Sequence, residues 1–467
     1  MVKLIIDKIR DKVKKYSDNK TNIGGYYIDL DSQYVIALEH FRLASIGFGV
    51  PHDFWDLGES IFDFWFDTLK SNNVTIVSKD KEKLRQAIYT EMKCEPTDEN
   101  MKVRRNVIDL LGEGCRNLPR NRSIRVFEGF AGYGGASFGL KRLKEQMPDI
   151  NYEVVGYSEI DKFASELFDA NIKDAQGNPI RNWNDITKIK GEDLPEFDMF
   201  TGGFPCQPFS SAGMQKGTED PYGRGAMLGH IIRILRELKE LGRLPQYLLL
   251  ENVKGFTHGK FQPIHDQLIK DLQNLGYGDN PLAKAVLNSK DYGIPQNRER
   301  LWMFAKLGGL PDGFSLVPPK TESDAKMADF LDYKPDKSLY LSDEQIAHLK
   351  VKHNIPSFVV DTPLCFDVYN KKIKKDGYSI TITQPEHNSL RVIEVPKKGG
   401  KEIVRKMSVH EQFRLMGFRI SRDLKECEID FNGQSYSQLS KRAGNGWDVN
   451  LVGILLTHIF KQIKNEV

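Results

Sequence analysis

The stretch Gly-Gly-Phe-Pro-Cys-Gln-Pro-Phe-Ser-Ser at 202–211 sets one cysteine between two prolines, in a loop opened by two glycines. A lone thiol is ordinarily a small buried hydrophobe. It becomes a nucleophile only as the thiolate, which needs helix-end amides or nearby cations to favour the anion. Pro205 restricts the backbone next to Cys206, and a glycine-punctuated segment, 210–227, follows. The apolar run Tyr-Leu-Leu-Leu that starts at Tyr247 ends in Glu251, and a buried carboxyl kept near its protonated form acts as a general acid. Arg298 and Arg300, in Gln-Asn-Arg-Glu-Arg, follow another turn and can bring positive charge to the same mouth; either could equally be a surface ion-pair partner.

A second group of residues has the chemistry of a nucleoside pocket. Phe-Ala-Gly-Tyr-Gly-Gly at 130–135 follows a predicted strand and opens a predicted helix. Glycines there let backbone N–H groups approach a ligand closely. Glu159, at the end of the next strand, can accept from both ribose hydroxyls. Asp185 in Asn-Asp-Ile-Thr follows a third turn and can hold an adenine amino group. No Gly-x-x-x-x-Gly-Lys-[Ser/Thr] pattern is present, which speaks against nucleotide hydrolysis.

Elements that could position these groups are legible from residue 123 onward. Strand-like runs ending in Phe130, Ile160, Phe204 and Val253 alternate with helical spacing over "GLKRLKE", "DKFASELFDAN" and "GAMLGHIIRILRELKEL". The alternation predicts an α/β fold with a mostly parallel, doubly wound Rossmann-like sheet. In such sheets ligands bind beyond the carboxyl ends of the strands, where all these residues fall. Helical spacing returns over "RKMSVHEQFRLMGF" and "NLVGILLTHIFKQI". Between 308 and 403 the pattern gives way to loops, prolines and short β-like runs, with a basic cluster at Lys371, Lys372, Lys374 and Lys375. Residues 1–122 form a separate, mostly helical region whose aromatic stripe, 54–70, reads as core or a partner face.

The chain has 467 residues, a formal net charge of +3 and 28% charged residues, a balance too mild to identify a partner. Its five cysteines (94, 115, 206, 365 and 427) are odd in number and lack any Cys-x-x-Cys pair. That excludes a disulfide scaffold and a structural zinc site, so no metal is expected. No apolar run reaches membrane-spanning length, and the basic N-terminus lacks a signal-type apolar stretch. A cytoplasmic protein without membrane contact is the expectation.

Taken in order, "FAGYGG", "YSEID", "NDIT", "GGFPCQPFS", "ENV", "QNRER", "RKMSVHEQFRLMGF" and "AGNG" closely resemble the ordered motif set of the DNA (cytosine-5) methyltransferases, of the bacterial or phage type. The resemblance covers the chain from about residue 123 to its end. It implies a class I methyltransferase domain (123–307 and 404–467), a smaller target-recognition region (308–403) and an N-terminal extension without a counterpart. It implies S-adenosylmethionine as cofactor, held by Phe130, Ala131, Gly132, Gly134, Gly135, Glu159, Ile160, Asp185, Ile186, Pro205, Asn445 and Gly446. Catalysis would fall to Cys206, adding to carbon 6 of a flipped-out cytosine, and to Glu251 at N3. Arg298 would contact the base at O2, with Arg300 organising the site.

Double-stranded DNA is the implied partner, bound nucleoid-associated by a monomer. Ser210, Gln215 and Arg224 in the closing loop and Ser379, Thr381 and Thr383 in "SITIT" are the implied contacts. The resemblance also leaves room for a separately acting cognate restriction endonuclease. The same scaffold could methylate cytosine 5 of transfer RNA, or persist as a non-catalytic DNA-binding relative. The chain departs from the family pattern in having Glu128-Gly129-Phe130 where Asp-Leu-Phe is usual. It also has Gly-Asn-Gly at 444–446 in place of Gly-Asn-Ser, Met416 in place of Gln, and extra residues around Pro221–Tyr222.

Overall fold

A computed structural model describes residues 21–23, 26–28, 123–205, 227–384, 390–396 and 400–463. The chain separates into two compact units, Met1–Arg120 with Lys464–Val467, and Asn121–Ile463. In the first, Thr21–Ile23 and Tyr26–Ile28 form an antiparallel hairpin; the expected aromatic stripe at 54–70 lies outside the described residues.

The second unit is built on a six-stranded sheet. Its elements in chain order are β1 (Ile124–Gly129), α1 (Gly135–Gln146), β2 (Tyr152–Ser158), α2 (Lys162–Asn171), β3 (Met199–Gly203), α3 (Met227–Glu240), β4 (Tyr247–Val253), α4 (Gln262–Leu275) and β5 (Ala283–Asn288). The two-residue β6 (Gln296–Asn297) and then β7 (Glu299–Lys306) follow. Strand order is β2-β1-β3-β4-β7-β5. β1 to β4 run parallel, while β7 runs antiparallel to both β4 and β5. The order reverses at β1, which makes the sheet doubly wound as expected. The antiparallel β7 is the addition: it begins, rather than ends, at the edge where β1 to β4 finish, and so delivers its first residues there.

Helices cover both faces because strand residues alternate between them. Phe127, Phe200, Leu248, Leu250, Leu301 and Met303 pack beneath α3 and α4, whose buried Ile231, Leu235, Leu268 and Leu272 recur at helical spacing. The other face takes α1 and α8 (Val449–Ile463), with Phe460 of α8 edge-on to Tyr247 at 5.6 Å. α1 and α8 meet at two glycines: a Cβ on Gly139 would stand 2.3 Å from Val452, and one on Gly453 2.3 Å from Arg142. The last helix is thereby drawn back onto the first, although about 300 residues separate them.

The 308–403 segment is more ordered than its sequence suggests. After α5 (Asp343–His353), strands β8 (Leu364–Asp367), β9 (Lys372–Lys374), β11 (Leu390–Glu394) and β12 (Ile403–Arg405) form an antiparallel sheet, order β9-β8-β11-β12. Phe358, Phe366, Ile393 and Val404 form its own small core with Ile346 of α5. Short strands with isolated apolar residues hide this pairing, since each is too brief to show alternation alone. "SITIT" is not part of that sheet: β10 (Ser379–Ile380) pairs in parallel with β6. α6 (Val409–Arg414) and α7 (Tyr436–Asn445) then lead to α8.

Buried Arg405 spans the junction, paired with Glu411 of α6 and Glu394 of β11. Arg414 pairs with Asp332, which also accepts from Ser408.

Candidate active site

One row of residues crosses the carboxyl edge of the sheet: Gly129 stands opposite Gly202, Gly203 opposite Glu251, and Glu251 opposite Trp302. Cys206, Ser210, Gln215 and Arg224 follow β3 in sequence but lie outside the described residues. Phe204 and Pro205 lead toward Cys206, and buried Asn252 holds the start of that loop by donating from Nδ2 to the Phe204 carbonyl at 3.0 Å. Asn252 is the neighbour of Glu251 in "ENV", and its anchoring role has no sequence signal beyond that adjacency.

Glu251 is buried, and Arg300 Nε reaches its Oε1 at 3.0 Å. Burial raises the Glu251 pKa; Arg300, then Arg298 and a hydrogen bond from the Trp447 side chain, oppose that rise. The two arginines meet different partners. Arg298 donates from Nη1 to the Ile382 carbonyl at 3.0 Å, and from Nη2 to those of Gly444 and Gly446 at 3.1 and 2.7 Å. Three of its hydrogen bonds go to backbone carbonyls, whereas Arg300 stands at the carboxylate. The chain breaks between β6 and β7 at Arg298, which turns that side chain inward. Burial and the adjacent Arg300 lower the Arg298 pKa.

The glycine loop leaves β1 in left-handed backbone at Phe130, Gly132 and Gly134 (φ 55°, 58° and 88°). A Cβ on Gly132 would meet nothing within 4 Å, so open space lies beside that backbone. By contrast, one on Gly134 would crowd Phe168 and one on Gly135 would stand 2.9 Å from Trp447. Gly134 offers no side-chain cap to α1. Glu128 supplies an acceptor instead, taking a hydrogen bond from the Ser137 hydroxyl, and the nearby Ala136 and Ser137 amides favour its ionised form. Gly129 beside it has no room for the usual leucine, since a Cβ would lie 2.6 Å from the Phe200 ring.

Glu159 accepts from the Gly132 amide through Oε2 at 3.0 Å and from the Asp161 amide through Oε1 at 2.8 Å. Burial raises its pKa despite these bonds. Ile160 is 76% exposed. Asp185 accepts from the Thr187 amide and hydroxyl at 3.0 and 2.7 Å, which lower its pKa, and Ile186 is buried. A carboxyl bonded to an open glycine backbone, with exposed Ile160 next to it in the chain, suits a nucleoside. Asn445, at the end of α7, accepts from Gln384 at 2.8 Å. Gly446 lies against Tyr133, whose ring a Cβ would overlap at 2.0 Å. This explains the loss of the usual serine there.

Among the expected DNA contacts, Ser379 is buried. Thr381 donates to the Asn297 carbonyl at 2.7 Å. Thr383 lies where a Cβ on Gly444 would touch its carbonyl carbon at 2.5 Å. "SITIT" therefore binds the catalytic motifs to one another. Lys371, Lys372 and Lys375 are exposed around β9. No helix among the described residues is long and apolar enough to cross a membrane.

Residues 124–464 match the family model of the C-5 cytosine-specific DNA methylases. The chain is 35% identical over 245 residues to the type II methyltransferase M.BanI of Aneurinibacillus aneurinilyticus, covering 48% of this chain and 52% of that protein. With M.SsoII of Shigella sonnei it shares 30% identity over 303 residues, 64% of this chain and 72% of the relative. The chain thus spans about half the length of M.BanI. In fold it is similar to the S. pombe Dnmt2 methyltransferase, with a TM-score of 0.51 at 19% identity over 73% of this chain and 99% of that one.

Proposed function

Since the chain belongs to the C-5 cytosine-specific DNA methylases, we propose that it is a DNA (cytosine-5) methyltransferase using Cys206 as nucleophile. The observation that carries this reading is the buried Glu251–Arg300 pair, set opposite Gly203 and therefore three residues from Cys206 in the chain. S-adenosylmethionine supplies the methyl group; Glu159 would take its ribose, Asp185 its adenine, and the 130–135 backbone with Asn445 and Gly446 the remainder.

The target carbon is inaccessible in a stacked duplex, so the cytosine must be flipped out at a cost of roughly a few kcal/mol. The Cys206 thiolate adds to carbon 6, and the displaced electron pair makes carbon 5 nucleophilic. Protonated Glu251 supports this by donating to N3, which its burial suits. Arg300 holds the carboxyl. Once carbon 5 is methylated it loses its proton, the carbon–sulfur bond breaks, and the ring double bond returns. The 308–403 region is the proposed target reader, and residues 1–122 a separate extension.

Label from methyl-labelled cofactor should enter duplex DNA and not transfer RNA; label in RNA alone overturns the substrate. Cys206→Ser should abolish transfer while cofactor binding persists, and near-normal turnover in that variant would refute the mechanism.

A further inference from the structure

We propose that Trp447 is a positioning residue for Glu251, its indole N–H holding the carboxyl from the side opposite Arg300. The inference rests on the reading of Glu251 given above but not on the identity of the nucleic acid.

Trp447 follows Gly446, outside the residues that the motif resemblance singled out. Its indole edge lies beside the Glu251 carboxyl across Gly203, and the indole N–H opposes the rise in the Glu251 pKa. The meeting depends on Gly203: a Cβ there would stand 2.6 Å from Trp447 Nε1 and 3.1 Å from Glu251 Oε2. Any larger residue on β3 would wedge between indole and carboxylate. The ring is itself held. Trp302, the register partner of Glu251, packs edge-on against it at 4.9 Å. The Tyr133 hydroxyl donates to the Trp447 carbonyl, and Gly135 leaves room for its Cβ. Behind it, Asp448 caps α8 by accepting from the Asn450 and Leu451 amides.

A carboxyl held only by Arg300 could pivot about its Cγ–Cδ bond; a second donor from another segment stops the pivot. Indole N–H has no lone pair, so it can only donate, and it favours the ionised form. The charged groups facing Glu251 are Arg300 of β7 and Arg298 before it; Asp448 acts on Arg298 from the loop ahead of α8, and Tyr133 does so from the glycine loop. Trp447 is the neutral donor among them, so its loss leaves the charges in place.

The test is the titration of the Glu251 carboxyl, read by carbon-13 NMR of the labelled full-length protein with Glu251→Gln as the assigning reference. Trp447→Phe keeps a ring and removes the donor. The midpoint should rise by roughly one to two pH units, as loss of one hydrogen bond to a charged group dictates. Gly203→Ala, which keeps the indole but separates the pair, should move it the same way, and decides the matter if Trp447→Phe does not fold. An unmoved midpoint overturns the inference. The alkaline limb of methyl transfer should rise with the midpoint, whereas a uniform loss of rate with no displacement reduces Trp447 to packing. A shifted titration in a protein that methylates neither DNA nor RNA would sink the proposed function and leave the positioning intact.

Discussion

Arg298 and Arg300 carry the same side chain two residues apart, and their surroundings separate them. Arg298 satisfies three buried carbonyls; Arg300 faces the carboxylate. Arg298→Ala strands those acceptors, so stability should fall by roughly 3 kcal/mol or more, visible as a lower denaturation midpoint. Arg300→Ala should cost less stability but lower methyl transfer about 10²–10³-fold, as removal of a positioned catalytic donor does. Equal losses of stability in the two variants would contradict this division. Nothing in "QNRER" foretells which arginine does which, because the break between β6 and β7 that turns one inward depends on pairing with β10, about 80 residues later.

At the scale of elements, α1 depends on an acceptor from the strand before it. Glu128 is buried, and burial lifts its pKa to about 7 against the opposing hydrogen bonds of Ser137 and Ala136. A carboxyl whose folded pKa lies above its unfolded value binds its proton more tightly when folded. Its contribution to stability is therefore largest below about pH 4.5 and is lost as pH rises through 7. Between pH 5 and 8 the protein should lose up to about 3 kcal/mol through this group. Glu128→Gln should flatten that slope in denaturant titrations; an unchanged slope would remove Glu128 as its source. The positions of α1, α2, α3 and α8 are readable from helical spacing. The cap on α1 is not, since its donor and acceptor belong to different elements.

For the whole molecule, the smaller sheet carries exposed Lys371, Lys372 and Lys375 around β9, while "SITIT" is built into the catalytic unit. Duplex binding should then draw on the lysines electrostatically. Replacing the three by alanine should reduce the slope of log affinity against log salt by about 0.9 for each phosphate no longer neutralised, with cofactor affinity unchanged. A slope that does not move would place the DNA elsewhere.

The chemistry and the frame of this protein are written locally. Thiol, carboxyl and arginines occur in recognisable short motifs, and strand–helix alternation with glycine turns needs only neighbouring residues to be seen. That was enough to determine the Rossmann-like sheet, the edge at which a site would form and the family. What the tertiary structure alone decided involves residues distant in sequence: Arg298 as a strut to 382–446, Asn252 on Phe204, Ser379 buried beside Gln296, and Trp447 against Glu251. These contacts arise where the start of the antiparallel β7 and the segment before α8 reach one edge of the sheet. A sequence records each side chain, but which donor meets which acceptor follows from packing across the whole fold.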